Sequence, residues 1–340
     1  FINHKKKLFN YLISLVVIFL ISSLLLSCEK KLLHNFSGEI MGTSYKVLIS
    51  DPLPSSVNQE VIFNILDSVN QEMSTYIPSS FLNELNNTKV NEWLSASKDF
   101  LKVIAYAKSA CILSKGAFDV SIGGIVNLWG FGSADELDWP LGKVDYAIEE
   151  IGCESIQINN NTGSVRRVKD VYVDLSAIAK GYAVDKLSRY LNSKELFNFL
   201  IEVGGEITVS GEKRGSLWEI GIENPYSVSE PILILDSSKL GNFSLATSGI
   251  YRNFKYIDGK RISHTFDPRS GKSIDSKLFS VSVLSNTAME ADVLATTLNV
   301  LGLTKGLKFA ELNAIKAIFI FQEDISLNYK TSSSLDRVLH

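Results

Sequence analysis

The chain contains four histidines, at positions 4, 34, 264 and 340, and of these His264 lies well inside the body of the sequence. Imidazole is the side chain best suited to accept a proton near neutral pH, so a general base of that type falls to His264. It opens the string His264-Thr-Phe266-Asp267-Pro268-Arg-Ser-Gly271, where Asp, Pro and Gly predict a tight turn at the rim of a cleft. The same string also suits a turn-capping histidine with no chemical task. Asp292 and Thr296, four residues apart, share a helical face. A carboxylate beside a hydroxyl suits a hard cation such as Mg²⁺, or else Asp292 is solvated and Thr296 packs.

Three further constellations carry chemical potential. In Val173-Asp174-Leu-Ser176-Ala177-Ile-Ala-Lys180-Gly181 a strand ends and a helix begins, with Ser176 as the expected N-cap. Free N–H groups at that helix end, with Lys180, would hold a diphosphate; an ordinary capped helix with an exposed lysine gives the same pattern. The spacing is neither that of a Walker loop nor of the Rossmann glycine fingerprint. Glycines across 118–132 and at Gly204-Gly205 let backbone approach a flat ligand, or permit a bulge. Thr247-Ser248-Gly249, followed by Tyr251-Arg252, offers hydroxyls and a guanidinium to phosphate or ribose; a serine nucleophile is disfavoured, because no G-x-S-x-G elbow is present.

These residues need elements to position them. Apolar spacing predicts helices over 57–74 and 97–114, the second stopped by Gly116. Strands are expected at 38–50, 171–175, 198–203, 217–223, 231–236, 254–257 and 279–284. Helices are expected from Ser176 to Leu191 and over 287–301, followed by a helix–strand pair at 304–321. Strands outnumber helices and gather in the second half, which favours an α+β class over a regular βαβ array. No long linker divides the body, so a single compact, two-lobed unit is expected over 38–325, with 326–340 as a C-terminal tail.

The N-terminal stretch has a different character. Lys5, Lys6 and Lys7 precede an apolar run from Leu12 to Leu26, which ends in Leu25-Leu26-Ser27-Cys28. This resembles a bacterial lipoprotein processing site. Residues 1–27 are then a signal peptide, Cys28 a lipid-bearing N-terminus, and 28–37 a tether holding the body at a membrane, facing the periplasm or the cell exterior. An uncleaved anchor would leave the body on the same side. Loss of 1–27 removes three lysines and no acid, taking the formal charge from −3 to −6; with no basic stripe, nucleic acid is not an expected partner. Cys111 and Cys153 are too few for a disulfide framework; they pair with each other or stay buried as thiols.

Taken in order, the motifs resemble the ApbE family, the FAD:protein FMN transferases. The resemblance runs from about Ile40 to Gly302 through Met41-Gly42-Thr43, Met73-Ser74-Thr75-Tyr76, Ala117-Phe118-Asp119, Trp129-Gly130-Phe131-Gly132, Asp174 to Gly181, Glu202 to Glu206, Thr247-Ser248-Gly249, His264 to Gly271 and Ala291-Asp292 to Thr296. The chain departs from the family pattern at Gly124 (usually Pro), Ile250 (often Asp), Ser270 (often Thr) and Phe266 (usually aliphatic). The resemblance implies a T-fold-related domain with mixed, largely antiparallel sheets and FAD in the cleft. It implies FAD contacts at Met41, Tyr76, Ala117, Phe118, Asp119, Asp174, Lys180 and Phe266, and Mg²⁺ held by Asp292, Thr296 and the backbone oxygen of Ala177. The expected reaction passes FMN to a threonine hydroxyl of a membrane redox protein and releases AMP. His264 takes the proton and Asp267 sets its turn. An FAD pyrophosphatase and a non-enzymatic flavin-binding lipoprotein are the rival readings.

Overall fold

The computed structural model describes residues 32–133, 144–227, 230–251, 253–257, 259–274, 277–324 and 326–339. The expected signal peptide, Cys28 and the first part of the tether lie outside the described residues. The frame is one antiparallel sheet of eight strands: β1 (His34–Ile40), β2 (Thr43–Ile49), β3 (Phe199–Val203), β4 (Glu206–Ser210), β5 (Phe243–Gly249), β6 (Leu278–Ser285), β7 (Lys316–Glu323) and β8 (Ser326–Thr331). They lie side by side in chain order. Long excursions leave the sheet after β2, β4, β5 and β6, and each returns beside the strand it left.

Side-chain alternation sends residues to opposite faces. Val47, Ile49, Phe199, Ile201 and Val203 join one core with the helices α1 (Gln59–Met73), α2 (Lys98–Ser114) and α3 (Ala179–Ser193). Ala246 and Val283 continue that side beneath α4 (Ala288–Leu312). Leu48, Leu200, Leu245 and Leu284 meet the other layer, where Trp218, Ile220, Ile222 and Leu235 come from the hairpin Glu219–Ile222/Leu233–Asp236. Trp218 is fully buried, and its Nε1–H donates to Ser210 O at 2.9 Å, so the indole buries its ring without stranding its donor.

The helices follow their sequence signals. Asn58 Oδ1 accepts Val61 N–H at 3.0 Å, and Ile62, Leu66, Val69 and Met73 point inward at spacings of four and three. Ser97 caps α2 through Phe100 N–H, and Lys115 (φ 54°) with Gly116 (φ 79°) ends it in the left-handed region. Gly302 (φ 73°, ψ 175°) is non-helical and divides α4 in two, as expected of a helix over 287–301 followed by another.

Several expectations change. Residues 171–175 form no strand: Val173 exchanges both backbone bonds with the Asn86 side chain, Asp174 N–H goes to Val120 O, and only a bridge at Tyr172 is sheet-like. Helix α3 begins at Ala179, and Ser176 does not cap it, because its N–H and hydroxyl bond back to Asp174. The tail is corrected: 326–331 is edge strand β8 and Ser333–Leu339 a helix whose Leu335 is fully buried. Pairing with β2 begins at His34, inside the expected tether. Cys111 and Cys153 are disulfide-bonded. No helix among the described residues is long and apolar enough to cross a membrane.

Candidate active site

The β1–β2 turn, the β3–β4 turn, the end of β5 and the start of β6 all meet at one end of the sheet. There they border a cleft of about 800 Å³. The post-β2 excursion supplies one wall, through Tyr76, residues 117–120 and Phe131, and the N-terminal portions of α3 and α4 supply the floor.

Two buried helix starts are locked together on that floor. Asp292 Oδ2 accepts Gly181 N–H at 3.2 Å, and Asp185 accepts Ala288 N–H at 2.7 Å and Met289 N–H at 3.1 Å. A Cβ on Gly181 would stand 2.4 Å from Ala288 O, so glycine is what lets the two helices approach this closely. Lys180 Nζ donates to Ser176 O at 3.2 Å and pairs with Glu206 Oε1 at 3.2 Å. Burial works against the Lys180 charge, but Asp292 and Glu206 outweigh it and hold the ammonium above the usual lysine range. Burial raises the carboxyls of both Glu206 and Asp292, and Lys180 opposes it. Glu206 Oε2 is buried with no hydrogen-bond partner, an orphaned acceptor in the cleft lining.

His264 is half-buried in the same lining. Its Nδ1 lies 3.1 Å from Asn253 O. A carbonyl only accepts, so Nδ1 carries the proton and Nε2 keeps its lone pair. Burial depresses the imidazole pKa, and the Lys180 charge adds to the effect against the Asn253 bond. The ring is therefore neutral at pH 7, with the base nitrogen available.

An aromatic group stands in the same cleft. Phe266 is buried, with its ring centroid 6.0 Å from Trp129 and 5.9 Å from Phe131, and Tyr76 OH donates to Phe131 O at 3.3 Å. Asp119 Oδ1 accepts Ser121 N–H and Oγ–H at 2.9 and 2.7 Å, while Ser114 holds the adjoining backbone, its carbonyl accepting Ala117 N–H at 3.3 Å and its Oγ accepting Phe118 N–H at 3.0 Å. One cavity thus combines aromatic walls, a lysine among acids, and a neutral histidine. That combination fits a ligand with a planar ring and a diphosphate, and supports proton removal from an incoming hydroxyl.

Tyr76, Ala117, Phe118, Asp119, Asp174, Ala177, Lys180, His264, Phe266, Asp292 and Thr296 all line the cleft. Met41 and Asp267 are not part of that lining. Met41, in the left-handed region (φ 53°), packs against the main core and leaves Gly42 and Thr43 at the cavity. The Asp267 carboxylate is committed to Arg269, at 2.8 and 2.7 Å, and its carbonyl accepts Ser270 and Gly271 N–H. It shapes the turn without touching the imidazole; the Asn253 carbonyl orients His264 instead. Two contributors escaped the sequence reading. Asn253 acts through its backbone and leaves no side-chain signal. Glu206 does leave one: an acid opening an apolar strand directly after Gly-Gly.

Asp292, Thr296 and Ala177 all line the cleft, and a carboxylate, a hydroxyl and a backbone carbonyl are the oxygen donors that a hard divalent cation takes. Cys111, Cys153 and Asp119 also converge, but the disulfide leaves no thiolate there to bind metal.

The sequence matches the profile of the ApbE family over residues 41–319. A Vibrio cholerae protein named FAD:protein FMN transferase is 38% identical over 332 residues, 96% of this chain and 97% of the relative. A Haemophilus influenzae protein of the same name is 36% identical over 339 residues, 96% and 98% of the two chains. Among solved structures, the flavin transferase ApbE of Vibrio cholerae aligns with a TM-score of 0.80 at 35% identity, covering 90% of this chain and 99% of the other. A histidine-to-glycine variant of that protein aligns at 0.81 with the same identity and coverage. The apo flavinyl transferase ApbE of Pseudomonas stutzeri aligns at 0.80 and 29% identity, covering 90% and 96%.

Proposed function

This chain belongs to the ApbE family, and we propose that it is an FAD:protein FMN transferase that moves FMN from FAD to a threonine hydroxyl of a membrane redox protein. The observation that carries the chemistry is the neutral His264, with Nε2 free, in the same cleft as Lys180, Asp292 and Glu206. The acceptor hydroxyl oxygen forms a bond to the FMN phosphorus, the P–O bond to the bridging oxygen breaks, and AMP leaves with that oxygen. His264 Nε2 takes the hydroxyl proton. Lys180 sets a fixed positive charge against the diphosphate, and the locked N-termini of α3 and α4 hold that charge in place. Tyr76, Phe131 and Phe266 offer flat surfaces to the isoalloxazine or adenine ring. Asp292, Thr296 and the Ala177 carbonyl would hold Mg²⁺, which supplies neutralisation of charge on the diphosphate oxygens when bound.

The leader ending in Leu25-Leu26-Ser27-Cys28 supports lipid anchoring at Cys28. A tether of that kind confines the enzyme and a membrane-bound acceptor to one surface.

The test mixes the purified protein with FAD, Mg²⁺ and a threonine-bearing redox subunit in its unmodified form, following acceptor mass and AMP with and without chelator. The expected result is a gain of one FMN by the acceptor, matched by AMP, and abolished by chelator. AMP and free FMN with an unmodified acceptor would replace the transferase reading with a pyrophosphatase; tight FAD binding without turnover would replace it with a flavin carrier.

A further inference from the structure

The motif Thr247-Ser248-Gly249 closes β5 at the cleft, and both of its hydroxyl residues line the cavity. The two are held differently. Thr247 Oγ1 lies 2.8 Å from the Oγ of Ser282, its cross-strand partner on β6, so that pair bonds within the sheet. Ser248 faces the other way, towards α4, on the side where Ala246 packs two residues earlier. There Asn299 Nδ2–H donates to Ser248 Oγ at 3.0 Å.

Asn299 is only 1% exposed, and its own Oδ1 is buried with no hydrogen-bond partner. A buried amide with an unmet carbonyl works against the fold, and an apolar side chain at this position would not. The one side-chain hydrogen bond that Asn299 makes is the bond to Ser248.

The direction of that bond orients the hydroxyl. An amide nitrogen only donates, so Nδ2 occupies a lone pair of Ser248 Oγ and cannot receive the hydroxyl hydrogen. Among the described residues no acceptor takes that hydrogen. Ser248 is half-buried in the cleft lining, so an acceptor reaches it from the cleft.

Asp292, Thr296 and Asn299 recur at spacings of four and three, which puts them along one face of α4. Ser248 therefore meets that face one turn beyond Thr296, on the side away from Asp292. It extends the polar lining past the lysine–acid floor.

We propose that Ser248 donates a hydrogen bond to an acceptor oxygen of the bound flavin dinucleotide, and that Asn299 is the positioning residue that aims it. The inference rests on the flavin reading of the cleft. A donor already held in place loses less conformational freedom when the ligand arrives, so the amide raises affinity without touching the ligand.

Flavin fluorescence titration of wild type, Ser248→Ala, Asn299→Ala and the double variant tests this. Ser248→Ala should raise the FAD Kd about fivefold, the loss of one ordinary hydrogen bond. Asn299→Ala should raise it roughly threefold while Ser248 is present, and by less than about 1.5-fold when Ser248 is already alanine. That non-additivity separates aiming from packing, because a merely structural Asn299 would weaken FAD binding equally in both backgrounds. Asn299→Leu, which fills the space without a donor, repeats the test should the alanine variant fail to fold. Calorimetric titration of Ser248→Ala with FMN and with ADP locates the accepting oxygen. A Kd rise confined to FMN puts it on the flavin half, one confined to ADP on the adenosine half, and a rise in both on a phosphate. An FAD Kd in Ser248→Ala within about 1.5-fold of wild type overturns the contact. Equal effects of Asn299→Ala in the two backgrounds overturn the positioning role. Absence of FAD binding by the wild type overturns the flavin reading and this inference with it; tight wild-type binding with an unaltered Kd in Ser248→Ala overturns this inference alone.

Discussion

Gly181→Ala sets two effects of one methyl group against each other. In the interior of a helix the change from glycine to alanine gains about 1 kcal/mol. Here, however, the new Cβ would lie 2.4 Å from Ala288 O and 2.7 Å from Met289 Cα, both backbone atoms at the start of α4. Relief to ordinary contact needs α3 and α4 to part by about 1 Å. Overpacking of that kind costs about 1–3 kcal/mol. The same shift stretches the Gly181 N–H bond to Asp292, now 3.2 Å, beyond hydrogen-bonding range. That leaves a buried acceptor unmet at a further cost of about 1–3 kcal/mol. The losses outweigh the helix gain, for a net destabilisation of about 3 kcal/mol and a Tm roughly 6–12 °C lower. Lys180 and Asp292 move apart with their helices, and a 1 Å misplacement costs on the order of 100-fold in rate. Differential scanning fluorimetry and the FMN-transfer assay read the two effects. Gly124→Ala is the control, because its Cβ would meet only Tyr172 Cβ, at 3.9 Å; it should melt no lower than wild type. A Gly181→Ala protein that melts at or above wild type and transfers FMN at the normal rate would refute the argument.

Two other changes have defined outcomes. Because the His264 pKa is depressed below the ordinary value of about 6.5, its lone pair survives as pH falls through 6.5 and is lost only below it. The kcat/KM profile should therefore hold level to about pH 6.5 and fall on its acid side. His264→Ala should lose roughly 100- to 10,000-fold in rate together with that acid limb; an acid limb retained in the variant removes His264 from proton transfer. The depressed pKa also stabilises the fold above pH 6.5, a contribution lost at lower pH as the unfolded chain takes up the proton first. Asp185→Ala strips both buried acceptors from the N–H groups of Ala288 and Met289 and should cost about 2–4 kcal/mol in denaturant unfolding, where a loss below about 1 kcal/mol would show that the helix start is held by other contacts.

Much of the site was legible because it rests on local chemistry. The four-residue spacing placed Asp292 and Thr296 on one helical face, and both reach the cleft. The turn after His264 forms as Asp, Pro and Gly require. The sequence misled where long-range pairing replaces local rules. Residues 171–175 have strand composition, yet the Asn86 side chain, 87 positions upstream of Val173, takes the bonds a neighbouring strand would have made. Ser176 has the type of an N-cap but bonds to Asp174 instead. Strand β8 alternates too weakly to announce itself and is identified by its pairing with β7. Asp267 sets the turn as expected, through its carbonyl to Ser270 and Gly271 and its carboxylate to Arg269.

The clasp between α3 and α4 also bears on how the chain acquires its ligand. Gly181 and Asp292 are 111 residues apart, and Asp185 and Ala288 are 103 apart. No local fragment holds both halves of the cleft floor, so the cleft exists only once the chain between them has folded. A ligand bound there interacts with the native state and not with the unfolded chain, and mass action then turns occupancy into global stability. FAD at 100 times its Kd would add about 2.7 kcal/mol to the whole domain. For this fold, the cellular supply of the flavin nucleotide is a determinant of how long the folded enzyme persists as well as of how fast it turns over.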